Sequence, residues 1–412
     1  MAKILFIIII AIIVFDYLLE HLLDYLNSTY WSNELPKELE GIYDAEKYKK
    51  SQDYQMANQK FSTLTSTLSF LAMLAMLLLG GFAFVDNFAR QFSSNEIVIA
   101  LIFFGILGFA SDILSTPFSI YNTFVIEQKF GFNNTDVKTF ILDKLKGWLL
   151  AIIIGGGLIA LLVLIYNVFG NNFWWIAWIA LSVFIIFITM FYSTLIVPLF
   201  NKQTPLEDGD LRKAIEAFAD KTGFKLNNIF VIDGSKRSSK ANAYFSGLGS
   251  KKRIVLFDTL IKNHTTEELV AVLAHEIGHY KKKHTLKGIA ISLLQSGMML
   301  FILSFFLGNP ILSEALGVTK SSFHISILAF GMLYSPLSTL LSIAMNILSR
   351  KHEYEADKFA GDNYNPEALI TALKKLSVDN LSNLRPHPAY VFFHYSHPPL
   401  LKRVNALNSK SN

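Results

Sequence analysis

No cysteine occurs among the 412 residues. Disulfides and thiolate metal ligands are excluded, so any metal centre must be assembled from histidine and carboxylate. Charge is scarce as well: Asp, Glu, Lys and Arg make up 17% of the chain against 52% hydrophobic residues, with a mean hydropathy of +0.38. So little charge cannot supply the polar skin of an ordinary soluble enzyme, and the chain reads as a membrane protein. The net charge of +5 would suggest nucleic acid in a soluble protein. In a membrane chain basic residues first report orientation, and no nucleic-acid partner is expected.

What is present in abundance is apolar runs near the roughly 20 residues that a bilayer core requires. They lie at Lys3 to Leu19, Ser62 to Val85, Glu96 to Phe118, Trp148 to Phe169, Phe173 to Pro198, Gly288 to Leu307 and Phe323 to Leu348, seven in all. The first is followed by Glu20, His21 and Asp24 and not by a small-residue cleavage site, so it is expected to be retained. The connection between runs one and two carries five basic residues and that between three and four carries four, whereas the alternate connections carry Arg90, none, and Lys320. The positive-inside rule then places the segment after the fifth run and the tail after the seventh on the cytosolic side. Asp112, Pro117, Pro336 and Gly155 to Gly157 within the runs fit either a water-filled interior or ordinary kinks and close helix contacts.

Between the fifth and sixth runs Thr265 and Glu268 open a helix with capping-box spacing, and it contains Ala-His275-Glu276-Ile-Gly-His279. Residues four apart on a helix lie one turn above each other, so His275 and His279 can face one metal ion. Glu276 sits roughly 100° around the helix, placed to take a proton from a metal-held water as general base. A third ligand is offered by Glu353, with Asp357 one turn later as the outer partner that metal-bound histidines need. His275, His279 and Glu353 would hold one Zn²⁺ with a fourth position open, a catalytic arrangement. Glu355 and His352 are the rivals nearby, and the alternative is a solvated charged face.

Before this helix, Leu211, Ala214, Ile215 and Phe218 mark one face of a helix that Gly223 ends. Strand-like runs follow at Asn228 to Asp233, Ala241 to Ser246 and Arg253 to Phe257, with the polar turn Gly-Ser-Lys-Arg-Ser-Ser-Lys between the first two. The middle run is either a plain sheet edge or a strand that pairs with a peptide substrate through Asn242 and Ala243. In the tail, His397 and Arg403 could stabilise an oxyanion, though a lone tail histidine is more often structural.

These motifs, in this order, resemble the type I CAAX prenyl endopeptidases, integral-membrane zinc metalloproteases of the gluzincin kind. The likeness also takes in Phe124 to Asn133, Pro198 to Asn201, Pro205-Leu206, Asp233 to Ser239, Arg253 to Leu260 and His397-Pro-Pro. It implies a mostly helical fold: a seven-helix membrane barrel around a water-filled chamber, closed on the cytosolic side by an α+β zincin-like domain. It implies zinc on His275, His279 and Glu353, Glu276 as base, Asn242 and His397 beside the substrate, and Arg403 in the same surroundings. The expected division is residues 1–199 membrane, 200–287 protease with the zinc helix, 288–348 membrane, and 349–412 protease completion. The substrate would be a peptide or protein, prenylated in the eukaryotic relatives. The short connection from Gly308 to Ser322, the tail without a retrieval signal and the Ile-, Lys- and Asn-rich composition favour a bacterial inner membrane, with the endoplasmic reticulum as the eukaryotic counterpart. Two alternatives remain on sequence: an HtpX-like quality-control protease, and a non-enzymatic membrane channel or scaffold that kept a metal site.

Overall fold

In hydrocarbon each backbone polar group must find a partner within its own segment, and the apolar runs accordingly fold as helices. The computed structural model describes residues 1–32, 34–37, 40, 41, 43–224, 229–247 and 253–409. In chain order come α1 (Ala2–Ser28), α2 (Ala45–Leu78), α3 (Gly81–Phe92), α4 (Glu96–Tyr121), the short α5 (Gln128–Phe130), α6 (Val137–Leu150), α7 (Gly157–Phe169), α8 (Phe173–Phe191) and the short α9 (Val197–Phe200). A mixed block follows: β1 (Gln203–Pro205), α10 (Asp210–Lys221), β2 (Ile229–Ile232), β3 (Ala243–Ser246), β4 (Arg253–Phe257), α11 (Asp258–Asn263) and α12 (Thr266–Lys281). The chain then resumes apolar helices in α13 (His284–Ser304), α14 (Pro310–Ala315) and α15 (Phe323–Asn363), and closes with α16 (Pro366–Asp379), α17 (Pro388–His394) and α18 (Leu400–Asn408).

Six helical stretches among the described residues are long and apolar enough to cross a membrane. One of them, Val137–Phe200, is 64 residues long. At about 1.5 Å per residue that is roughly three times the hydrocarbon thickness, and a 3₁₀ turn at Gly170–Asn172 breaks it. The second run was expected to continue to Val85. Instead α2 stops at Leu78, because Gly80 takes a left-handed φ of +69°, and α3 starts afresh with Phe82, Val85 and Ala89 buried.

Polar residues in the membrane part are largely paired. Asp112 on α4 accepts hydrogen bonds from Lys144 Nζ at 2.7 Å and Trp148 Nε1 at 2.9 Å, which joins α4 to α6. Asp86 on α3 is fully buried between Arg90 Nε at 2.8 Å and His324 Nε2 at 2.7 Å, while Arg90 also donates to Ser322 Oγ. That knot pins α3 to the start of α15.

The mixed block is a four-stranded sheet in the order β1-β2-β4-β3. β2 runs parallel to β4, and β3 is an antiparallel edge strand. β4 begins and ends as the sequence suggests. β2 starts at Ile229, Asn228 lying outside the described residues, and stops one residue short of Asp233; β3 starts at Ala243, not Ala241. β1 was not expected, being three residues that end in proline. Leu269, Leu273 and Ile277 of α12 are buried with Ile215 and Phe218 of α10, Ile254 and Leu256 of β4 and Leu369 of α16. At about 1.5–3 kcal/mol for each large apolar side chain removed from water, this core fixes α12 firmly.

The polar run Gly234 to Lys240 does more than turn. Arg237 donates to Asp143 at 2.7 and 2.8 Å, and Lys240 Nζ reaches Glu127 at 2.8 Å and Tyr54 Oη at 2.9 Å. It is a strap from the sheet block to the membrane helices.

Candidate metal centre

α12 begins where the capping box places it. Thr265 Oγ1 accepts from the Glu268 amide at 3.3 Å, and Glu268 Oε2 accepts from the Thr265 amide at 2.9 Å. The helix lies against α15 at Gly278. A Cβ there would stand 3.1 Å from both the Cα and the carbonyl oxygen of Ala356, so the glycine is what lets the two backbones approach. This contact carries Glu353, on the membrane-derived α15, to the two histidines of α12.

His275 Nε2 and His279 Nε2 are 3.1 Å apart. Glu353 completes a triangle, with Oε1 3.2 Å from His279 Nε2 and Oε2 3.5 Å from His275 Nε2. Nitrogen and oxygen ligands about 2.0–2.1 Å from one tetrahedral ion stand about 3.3 Å apart, so this triangle has the edge that a zinc-sized site demands. Glu353 Oε2 is buried without a hydrogen bond. The donor set is two imidazoles and a carboxylate, and the residues fit a divalent ion.

Around the triangle each expected residue has a definite place. Asp357 Oδ1 is 2.8 Å from His275 Nδ1. Arg403, buried on α18, grips Asp357 with Nε at 2.8 Å and Nη2 at 2.6 Å, and its Nη1 is 3.4 Å from Glu353 Oε2. Burial works to lower the Arg403 pKa, but the hydrogen bonds and charge of Asp357 outweigh it and hold the guanidinium above its ordinary value. Burial likewise works to lower His279, and Glu353 outweighs it, leaving this imidazole above its usual 6.5. His397 keeps 65% of its side chain exposed, with Nε2 3.4 Å from Glu353 Oε1 and Nδ1 beside Ser396 Oγ.

Glu276, His397 and the triangle open onto one cleft of 630 Å³, and Asn242 with Ala243, Tyr244 and Phe245 of β3 line the same cleft. Asn242 Oδ1 accepts from the Ala243 amide at 2.8 Å, which holds that side chain at the strand's entry. The structure therefore brings together all nine residues singled out on sequence: His275, His279, Glu353, Glu276, Asp357, Asn242, Ala243, His397 and Arg403.

Comparison with known proteins sets this geometry in a family. Residues 25–202 match the model described as "CAAX prenyl protease N-terminal, five membrane helices", and residues 205–411 match "Peptidase family M48". The chain belongs to peptidase family M48. It is similar to CAAX prenyl protease 1 of Saccharomyces cerevisiae, 37% identical with 91% of this chain and 88% of that one covered. The CAAX prenyl protease 1 homolog of Dictyostelium discoideum is 36% identical, with 96% and 95% covered. The crystal structure of S. mikatae Ste24p superposes with a TM-score of 0.93 at 36% identity, over 98% of this chain and 99% of that one.

The M48 chain is a metalloendopeptidase and an integral, multi-pass membrane protein. The channel or scaffold alternative falls with that assignment. An HtpX-like role is not favoured, since these relatives are CAAX prenyl proteases.

Two side chains linked in series behind the triangle were not picked out as partners from sequence. His284 Nδ1 is 3.0 Å from His279 Nδ1, and Glu355 Oε2 is 3.0 Å from His284 Nε2. No helical spacing could announce the first contact, because Lys283, with φ +58°, ends one helix phase and starts another.

Proposed function

We propose that this M48 metallopeptidase holds one Zn²⁺ on His275, His279 and Glu353 and cleaves prenylated CAAX-type peptides at the cytosolic face of its membrane. The observation that carries the reading is the ligand triangle with tetrahedral edges, set beside Glu276 in a cleft walled by the edge strand β3. A zinc ion there supplies Lewis acidity, which makes water a nucleophile near neutral pH and draws charge from a scissile carbonyl.

The chain's own residues supply the rest. The substrate backbone adds to the free edge of β3, with Asn242 and Ala243 at the point where the scissile bond lies. Glu276 takes a proton from the attacking water as the C–O bond forms, and returns it to the leaving nitrogen as the C–N bond breaks. His397, exposed to the cleft, donates to the oxyanion as it develops. Arg403 has its fork committed to Asp357, so in this reading it is a positioning residue: it holds Asp357, which holds the His275 ring.

The prenylated substrate comes from the names of the relatives, and the cytosolic placement from the distribution of Lys and Arg. The broken stretch Val137–Phe200 counts as two crossings in this reading, giving seven. A chamber among them is supported by a 440 Å³ cavity lined by Glu20, Ser335, Ser338, Thr339 and Ser342, hydroxyl-rich where lipid contact would favour hydrocarbon. A bacterial inner membrane remains the favoured location on composition. The deciding experiment measures zinc content and cleavage by wild type and Glu276→Gln on a farnesylated CAAX peptide and its unprenylated twin. Zinc in both proteins, with cleavage of the farnesylated peptide by wild type alone, is expected. Equal cleavage of both peptides by wild type would remove the lipid from the substrate, and cleavage by Glu276→Gln would remove the base.

A further inference from the structure

The two histidines of the triangle must each be held with Nε2 toward the ion, and the structure holds them differently. His275 meets a carboxylate directly, through Asp357. His279 meets another imidazole: its Nδ1 is 3.0 Å from Nδ1 of His284, whose Nε2 is 3.0 Å from Glu355 Oε2. The His284 ring is buried and lies stacked on His352, centroids 3.9 Å apart and planes 11° from parallel. We propose that His284 and Glu355 are positioning residues for His279, a carboxylate–imidazole–imidazole relay that fixes the tautomer and the ring plane of the metal ligand. The proposal rests on the metal-site reading above.

One distribution of protons satisfies both contacts of the relay. A carboxylate accepts and does not donate, so His284 carries its hydrogen on Nε2 and gives it to Glu355. Its Nδ1 is then bare and can only accept, which requires the hydrogen of His279 to sit on Nδ1. His279 Nε2 is left with a free lone pair, aimed into the triangle. The opposite distribution would put an N–H on His279 Nε2, pointing at the ion and at His275 Nε2. Both rings are neutral in the working arrangement, as metal ligation requires, and no proton moves.

Three elements meet to build the relay: α12 supplies His279, the first residue of α13 supplies His284, and α15 supplies Glu355. Glu353 and Glu355, two apart on one helix, point roughly 200° from each other. One reaches into the triangle and the other holds His284, the first residue of α13. The left-handed Lys283 makes the geometry possible, because it breaks the helix between α12 and α13 and sets His284 beside His279 out of the α12 phase.

The test uses full-length protein in detergent, stripped with a chelator and titrated with Zn²⁺ and with Co²⁺. His284→Phe keeps the ring and its stacking but neither nitrogen, and should weaken metal affinity roughly 10–100-fold and alter the Co²⁺ absorption bands. His284→Gln, whose amide can both accept and donate, should restore affinity to within about threefold of wild type. Glu355→Leu should weaken affinity, and adding it to His284→Phe should cost little more, because the two act through one chain of bonds. Wild-type affinity and spectrum in a folded His284→Phe would overturn the relay, as would a His284→Gln as weak as His284→Phe. If His284→Phe does not fold, the half-exposed Glu355 decides alone, and unchanged affinity in Glu355→Leu overturns it. A wild type that takes up neither ion would sink the metal-site reading, and the relay with it.

Discussion

His279 stands under two opposed influences, burial that lowers its pKa and Glu353 that raises it, and the carboxylate prevails. In the metal-free protein the charged pair stabilises the fold below 6.5, and that contribution is lost as pH rises through the raised folded value. A metal needs the neutral ring, so its dependence runs the other way. The gain in melting temperature on metal loading, measured against chelated protein, should grow as pH rises from 6.5 into the range above it. A gain that is flat across that window would mean His279 is not a ligand. His397 makes a different prediction, since it is exposed and contributes to no core. His397→Ala should lower kcat roughly 10²–10³-fold with metal content unchanged; loss of bound metal in this variant would assign it to the metal site instead.

At the scale of elements, what was legible on sequence is what repeats locally. The capping box of α12, the His275–Glu276–His279 face and the four-residue step from Glu353 to Asp357 are all helical spacings, and each is where it was expected. Features set by φ or by distant contacts were not legible. Gly80 ends α2 in a stretch whose hydrophobicity runs on, and β1 exists only because β2 is beside it. His284 was not singled out on sequence and Glu355 stood only as a rival to Glu353, because Lys283 and the packing of α15 decide what the two touch. Gly278 is an instance hidden inside a recognised motif. Alanine there should gain up to about 1 kcal/mol in helix propensity. It should lose roughly 1–3 kcal/mol by overpacking against Ala356, whose backbone cannot step aside. Gly278→Ala is therefore expected to melt lower and to bind metal less tightly, as Glu353 is pushed away; tighter binding would show that α12 and α15 have slack between them.

For the whole molecule, the absence of cysteine makes orientation directly measurable. Lys320, exposed before α15, and Lys402, exposed on α18, lie in segments that the distribution of basic residues puts on opposite sides. In intact cells a membrane-impermeant thiol reagent should label Lys320→Cys and leave Lys402→Cys untouched until the cells are opened. The reverse pattern would place the metal centre outside. The Asp86 knot provides a separate check on the integrity of the membrane part. Asp86→Ala takes the acceptor from His324 and leaves Arg90 with only Glu96, 3.5 Å away, as counter-charge, and should cost up to about 3–5 kcal/mol of stability. Metal affinity per folded molecule should not change, as the knot joins α3 to the start of α15 while Glu353 sits near its far end and the two histidines on α12.

α15 is continuous from Phe323 to Asn363 and bears Glu353 near its far end. From its first residue to that ligand the helix is a rod of roughly 45 Å, against a hydrocarbon layer of about 30 Å. If the proposed site is taken with the helix crossing that layer, the scissile bond stands at a set altitude above the bilayer surface. For a peptide tethered to the membrane by its own lipid, that altitude acts as a ruler. The expectation for the proposed lipid-anchored substrate is that the length of chain between anchor and ligand triangle chooses the bond cut, so that adding or removing residues there moves the cleavage point through the sequence.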